Sequence, residues 1–268
     1  TSQHMGLNLV LDGLAQVNYL VGVNGSGKTR LMQSIKSRMT LYVDQLREPK
    51  PDDAVAVTFF SNDADVYQII KDGSIANNPF DLDLFMVQGE KRTVLGLGDD
   101  FKNHPLTQKI IALFYPGKNF EIQMRGDNEI SFKESAISNS VWIPLDSLAA
   151  GFQSLFKLWN NTCQNKFPKG RGLYLLCLDE VDRHLHPSLA KKLPSVLNEL
   201  IVEIEKLAVK NSNEFEGAKV QIFIATHSPF TVRGALEHEG HKIFHIEKGE
   251  LNHSFDRTEL IKRSGIPF

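Results

Sequence analysis

The residues best suited to chemistry lie in Gly22-Val23-Asn24-Gly25-Ser26-Gly27-Lys28-Thr29, which fits the pattern G-x-x-x-x-G-K-[ST]. Glycines let a backbone curl until its N–H groups point at phosphate oxygens. A lysine at this spacing can reach β- and γ-phosphates, and the threonine hydroxyl can bind Mg²⁺. Asn24, Ser26 and Arg30 complete the predicted phosphate-binding set with Gly22, Gly25, Gly27, Lys28 and Thr29. A second group follows the apolar run Leu175-Leu176-Cys177-Leu178. There Asp179 is placed to hold the metal, and Glu180 to orient or deprotonate an attacking water. A third is Thr226-His227-Ser228-Pro229, where His227 ends another apolar run, within reach of a terminal phosphate.

These residues need a particular frame. Val17–Val21 reads as a short strand, and Lys28 to about Met39 has helical spacing (Leu31, Ile35, Met39). The loop then lies between strand and helix, with the helix N-terminus behind the phosphates. Leu173–Leu178 and Val220–Ala225 are apolar throughout, as expected of strands buried on both faces of a parallel sheet. Further strands are expected at Leu7–Leu11, Ala54–Phe60, Phe85–Val87, Thr93–Leu95 and Val141–Ile143. Helices are expected at Asp63–Lys71, Pro105–Phe114 and Gly151–Cys163, and from Ser188 to about Lys210 with a kink at Pro194. Phe120–Arg125 and Glu129–Lys133 flank a Gly126-Asp127-Asn128 turn and predict a hairpin. Lys242–Ile246 and the Glu247–Glu250 turn predict another. The expected fold class is α/β: a phosphate-loop core with a mostly parallel sheet flanked by helices, plus an antiparallel β lobe inserted at about 73–147. Residues 1–268 read as a single domain, with Thr1–His4 ahead of Met5 set aside as a cloning remnant.

Composition narrows the function classes. With 30 basic and 32 acidic residues the net charge is −2, so no overall attraction to nucleic acid or membrane is built in. Arg30, Lys36, Arg38, Lys191 and Lys192 read mainly as solvated helix faces. Cys163 and Cys177 stand in apolar stretches and read as buried free thiols. No apolar run approaches a membrane span and no signal peptide is visible, so the expected location is the cytoplasm.

The order of the motifs resembles the ABC-type ATPases, in particular the soluble branch with SMC-, RecF- and OLD-type proteins and the ATPases of bacterial defence systems. Ser147-Leu148-Ala149-Ala150-Gly151-Phe152-Gln153 is similar to the family signature. Leu178-Asp179-Glu180-Val181-Asp182-Arg183-His184-Leu185-His186-Pro187 is similar to this branch's extended acidic motif, and Thr226–Pro229 to its switch histidine. The resemblance implies ATP and Mg²⁺ as cofactors. It also implies a head-to-tail homodimer formed on ATP binding, each nucleotide held by one copy's phosphate loop and the other copy's signature (Leu148, Ala149, Gly151). It makes Glu180, His227 and Lys28 the catalytic set, and Thr29 and Asp179 the metal ligands.

The chain departs from the family at Ala149, where a serine is usual, and at Phe152. The glutamine-loop residue is open between Gln68 and Gln88. The stretch from Lys28 to Gly151 lacks sustained heptads, which argues against an SMC-type coiled-coil arm. The reading is an ATPase acting as motor or sensor in a bacterial defence or DNA-maintenance system. Any effector or nuclease activity would lie in a partner chain or in a larger parent protein, and nucleic acid would be a conditional partner. The alternatives are a transporter ATPase subunit and a weakly hydrolysing nucleotide-binding regulator.

Overall fold

A computed structural model describes residues 13–35, 55–61, 84–86, 99–125, 129–164, 173–210, 219–247 and 250–252. Its main body is a seven-stranded sheet in the order β10-β9-β1-β8-β7-β2-β3. The strands are β1 (Val17–Val21), β2 (Val55–Ser61), β3 (Leu84–Met86), β7 (Leu173–Asp179), β8 (Lys219–Thr226), β9 (His241–Glu247) and β10 (Glu250–Asn252). All neighbours run parallel except β10, which returns antiparallel to β9.

The apolar runs are central strands for a physical reason. From Tyr174 to Leu178, and from Ile222 to Ala225, nearly every side chain is shut from water on alternating faces. One face packs Tyr19, Tyr174, Leu176, Leu178, Ile222 and Ile224 into the larger core, and the other packs Leu20, Leu175, Cys177, Phe223 and Ala225 with Leu31 and Met32. Each fully buried large apolar side chain contributes about 1.5–3 kcal/mol. A strand buried on both faces therefore has no room for polar alternation.

The helices are α1 (described over 28–35), α2 (Asp99–Lys102), α3 (Pro105–Phe114), α4 (Ala150–Gln164), α5 (Pro187–Ala190), α6 (Leu193–Lys210) and α7 (Pro229–Ala235). A separate antiparallel sheet is formed by β4 (Phe120–Arg125), β5 (Glu129–Glu134) and β6 (Ile143–Pro144). It is fastened to α4 by aromatic edges. Phe132 meets Phe152 at 5.4 Å and Phe156 at 5.1 Å, and Tyr115 meets Phe152 at 5.4 Å between ring centroids. Such edge-to-face pairs add directional attraction to the burial they share.

Two expected elements are corrected. The helix expected from Ser188 is two helices, with Lys191 and Lys192 in a turn between α5 and α6. Pro194 does not kink a helix interior. It stands in the first turn of α6, where its missing N–H costs nothing. The strand expected at Val141–Ile143 is only Ile143–Pro144, and Val141 is 72% exposed.

The expected elements at Leu7–Leu11, Asp63–Lys71 and Thr93–Leu95, the 126–128 turn, Gln68, Gln88, Lys36 and Arg38 lie outside the described residues, as does the side chain of Cys163. Cys177 is buried and in no disulfide among the described residues. Among the described residues no helix is long and apolar enough to cross a membrane.

Candidate functional site

The register of the sheet brings the three chemical groups to one edge. Val21 pairs with Thr226, and Ala225 pairs with Asp179, so β1, β8 and β7 end level at their C-terminal ends. The C-terminal edge of a parallel sheet is where α/β folds bind ligands. β8 lies between the strand that feeds the loop and the strand that carries the carboxylates.

The loop turns through Gly25 at φ 78° and Gly27 at φ 102°, conformations that a side chain resists. Gly22 is needed for a different reason. A Cβ there would sit 2.3 Å from the carbonyl oxygen of Ile246 and 2.8 Å from Ser26 Oγ. The loop therefore presses directly on the end of β9.

Lys28 is buried, and its Nζ donates to the carbonyls of Gly22 at 2.9 Å and Val23 at 3.0 Å. Burial lowers the ammonium's pKa below the usual lysine range, opposed by the nearby charges of Glu180 and Asp179. Ser26 is 4% exposed, and its Oγ has no hydrogen-bond partner among the described residues. Asn24, Gly25 and Arg30 are exposed, and Gly27 and Thr29 half-buried.

Across β8, Thr29 Oγ1 donates to Asp179, 3.0 Å from Oδ1 and 3.1 Å from Oδ2. Asp179 is 1% exposed. A buried carboxylate and a hydroxyl facing each other make a hard-oxygen pair suited to Mg²⁺, which takes few protein ligands and fills its shell with phosphate oxygens and water. The orphaned Ser26 Oγ, the inward Lys28 and the outward-curled loop fit a phosphate chain beside that pair.

Glu180 follows at once in a strained backbone, the only non-glycine with positive φ (49°) among the described residues. Such strain persists only where the surroundings enforce it. Here the Glu180 N–H donates to Ala225 O at 3.0 Å, and the Arg183 N–H to Glu180 O at 3.0 Å. The carboxylate meets His227 Nδ1 at 3.2 Å through Oε1 and Arg183 Nη1 at 3.7 Å through Oε2. His227 is exposed at the tip of β8, so the structure brings Lys28, Thr29, Asp179, Glu180 and His227 to one edge.

The signature segment is placed differently. Ala149 and Ala150 are exposed, Leu148 is half-buried and Gly151 is buried. A Cβ at Gly151 would lie 2.7 Å from Leu185 Cδ2 and 2.8 Å from His184 O, so this glycine packs on the turn after Glu180 in its own chain. Gln153 Nε2 donates to Leu148 O at 2.8 Å and Asp146 O at 3.1 Å, and the Ala149 N–H donates to Tyr115 Oη at 3.3 Å.

Residues 167–233 match the family model described as "AAA domain, putative AbiEii toxin, Type IV TA system". That stretch holds β7 with its carboxylates, β8 and the His227 turn. Among solved structures, the chain is similar to an Smc head domain with an extended coiled coil bound to the C-terminal domain of ScpA, derived from Pyrococcus furiosus. The identity is 18% over 58% of this chain and 35% of that one, with a TM-score of 0.31. It is also similar to an SmcHead bound to the C-winged helix domain of ScpA, at 14% identity over 92% of each chain and a TM-score of 0.45. A comparison with curated proteins gives no match.

The fold is α/β with a mostly parallel sheet, and within it residues 167–233 resemble an AAA domain.

Two groups near the site were not legible in the sequence. Asp182, buried among hydroxyls, was read only as part of the acidic motif. Tyr115 reaches the signature amide from α3's end, and nothing in its local sequence signals that contact. The acidic spacing Asp179, Glu180, Asp182 was the one available hint for the former.

Proposed function

We propose that the chain binds ATP with Mg²⁺ between the Gly22–Thr29 loop and the Asp179–Glu180 turn, and hydrolyses it. The observation that carries this reading is the Thr29–Asp179 contact across β8, with Glu180 and His227 beside it. Mg²⁺, when bound, would neutralise developing phosphate charge. Thr29 and Asp179 would hold it. The loop amides and Lys28 would bind the phosphates, Lys28 exchanging its carbonyl bonds for phosphate oxygens. Glu180 would take a proton from the attacking water, and His227 would orient Glu180 and sense the terminal phosphate. In this reading 1–268 is one ATPase domain.

The exposed Ala149 and Ala150 at the start of α4 support a second copy closing over the nucleotide, so that ATP would join two chains head to tail. The biological reading is a motor or sensor in a bacterial defence or DNA-maintenance system, with a protein effector and conditional nucleic acid contact. A weakly hydrolysing regulator is the second reading. It is favoured by one observation: Ala149 brings no hydroxyl, and its amide is already engaged by Tyr115.

The test is ATP affinity and turnover in Lys28→Ala and Glu180→Gln. Lys28→Ala should lose binding. Glu180→Gln should bind ATP, stop turning over and accumulate dimers on a sizing column. Unchanged affinity in the first, or normal turnover in the second, contradicts the assignment.

A further inference from the structure

Asp182 is only 4% exposed, and a carboxyl is costly to bury without partners. Its Oδ2 accepts two hydroxyl hydrogens, from Thr226 Oγ1 at 2.5 Å and from Thr231 Oγ1. Thr226 is the last residue of β8, and Thr231 lies in the first turn of α7. They bracket the short segment that carries His227. The bracket is tightened from within: the Ser228 N–H donates to Thr226 Oγ1 at 2.9 Å, and the Thr231 N–H to Ser228 Oγ at 3.4 Å. On its own side, Asp182 belongs to the turn that holds Glu180, where the Leu185 N–H donates to Asp182 O at 3.0 Å. One buried carboxyl thus joins the Glu180 turn to the His227 turn.

We propose that Asp182 is a positioning residue: it fixes the His227 segment against the Glu180 turn and so sets the contact between His227 Nδ1 and Glu180 Oε1. The catalytic consequence rests on the function proposed above; the geometric part does not. A carboxylate oxygen that collects two hydroxyls leaves the segment little freedom, because releasing it would strand a buried acceptor. Burial raises the proton affinity of Asp182, and the two hydroxyl bonds counter that. This balance suits a group kept for geometry rather than for proton transfer.

The test uses the full chain with isotope-labelled histidine. Glu180→Ala marks where the His227 ring resonance falls once the contact is gone. Asp182→Asn keeps the volume and removes the charge that draws both hydroxyls to one oxygen. It should move the His227 resonance toward the Glu180→Ala position. Thr231→Val removes one hydroxyl without touching the acid and should move it the same way, which keeps the test open if Asp182→Asn folds poorly. A His227 resonance unmoved in the folded variants overturns the proposal, whatever the turnover shows.

In turnover, Asp182→Asn should lower kcat about tenfold in the wild-type background and less than about twofold when His227 is already Ala, since positioning is lost only once. Equal factors in both backgrounds also overturn it. Absent turnover in the wild-type protein would instead sink the hydrolysis reading and leave the resonance test standing.

Discussion

Thr29→Val isolates the proposed metal seat from the rest of the site. Valine keeps the threonine shape and removes only the hydroxyl, which lies 3.0 and 3.1 Å from the two oxygens of a carboxylate that is 1% exposed. A hydrogen bond to a charged group is worth about 1.5–3 kcal/mol net. Asp179 has further interactions that survive the change, and Thr29 is only half-buried, so a value around or just below the lower end of that range, about 1–2 kcal/mol, is expected. For a domain of this size that lowers Tm by roughly 2–8 °C. The functional arm is the ATP affinity measured with Mg²⁺ and again in EDTA. With Mg²⁺ the variant should bind about tenfold or more weakly, and in EDTA it should match the wild type within about twofold, because only the metal is lost. Thr29→Ser should restore both properties. A valine variant that keeps the full gain from Mg²⁺ would refute the placement of the ion between Thr29 and Asp179. A variant with an unchanged Tm would refute the energetic value given to the contact.

Gly22→Ala should destabilise the chain by about 1–3 kcal/mol in chemical denaturation, because the added methyl meets the Ile246 carbonyl at 2.3 Å and backbone has to move. Gly25→Ala meets nothing within 4 Å and should cost less, about 1–2 kcal/mol from its φ of 78° alone. His241 gives a pH signature. Burial first, and then the neighbouring His238, lower its pKa from 6.5 to about 4. A histidine with a lowered folded pKa contributes stability that is complete above its unfolded pKa and is lost as pH falls toward the folded one. Tm should therefore decline between about pH 6.5 and 4, and His241→Gln should flatten that decline in thermal scans.

The parts that the sequence made plain are those fixed by local rules. Leu173–Leu178 and Val220–Ala225 could only be strands buried on both sides, and they stand beside one another in the sheet. The loop announces itself because its glycines answer a local steric demand. What the sequence hid depends on partners far along the chain. Asp182 meets Thr231, 49 positions away, and Ala149 meets Tyr115, 34 positions away, and neither pairing leaves a periodic trace. The close packing of Gly151 on His184 and Leu185 is likewise set by residues far along the chain. The break between α5 and α6, where one helix kinked at Pro194 was expected, was missed for a related reason. Pro194 is visible in the sequence, but whether a proline kinks a helix or opens one depends on where the helix begins. Here α7 packs tightly on the turn before α6: a Cβ at Gly234 would lie 2.1 Å from Lys191 O.

The most direct test of the account is a crystal structure of the Glu180→Gln chain with ATP and Mg²⁺. The phosphates should be wrapped by Gly22–Thr29, with Lys28 Nζ moved from the Gly22 and Val23 carbonyls onto phosphate oxygen and the ion between Thr29 and Asp179. Ala149 of a second copy should face the terminal phosphate. Nucleotide bound away from this edge, or Lys28 still on its own carbonyls with ATP present, would contradict it.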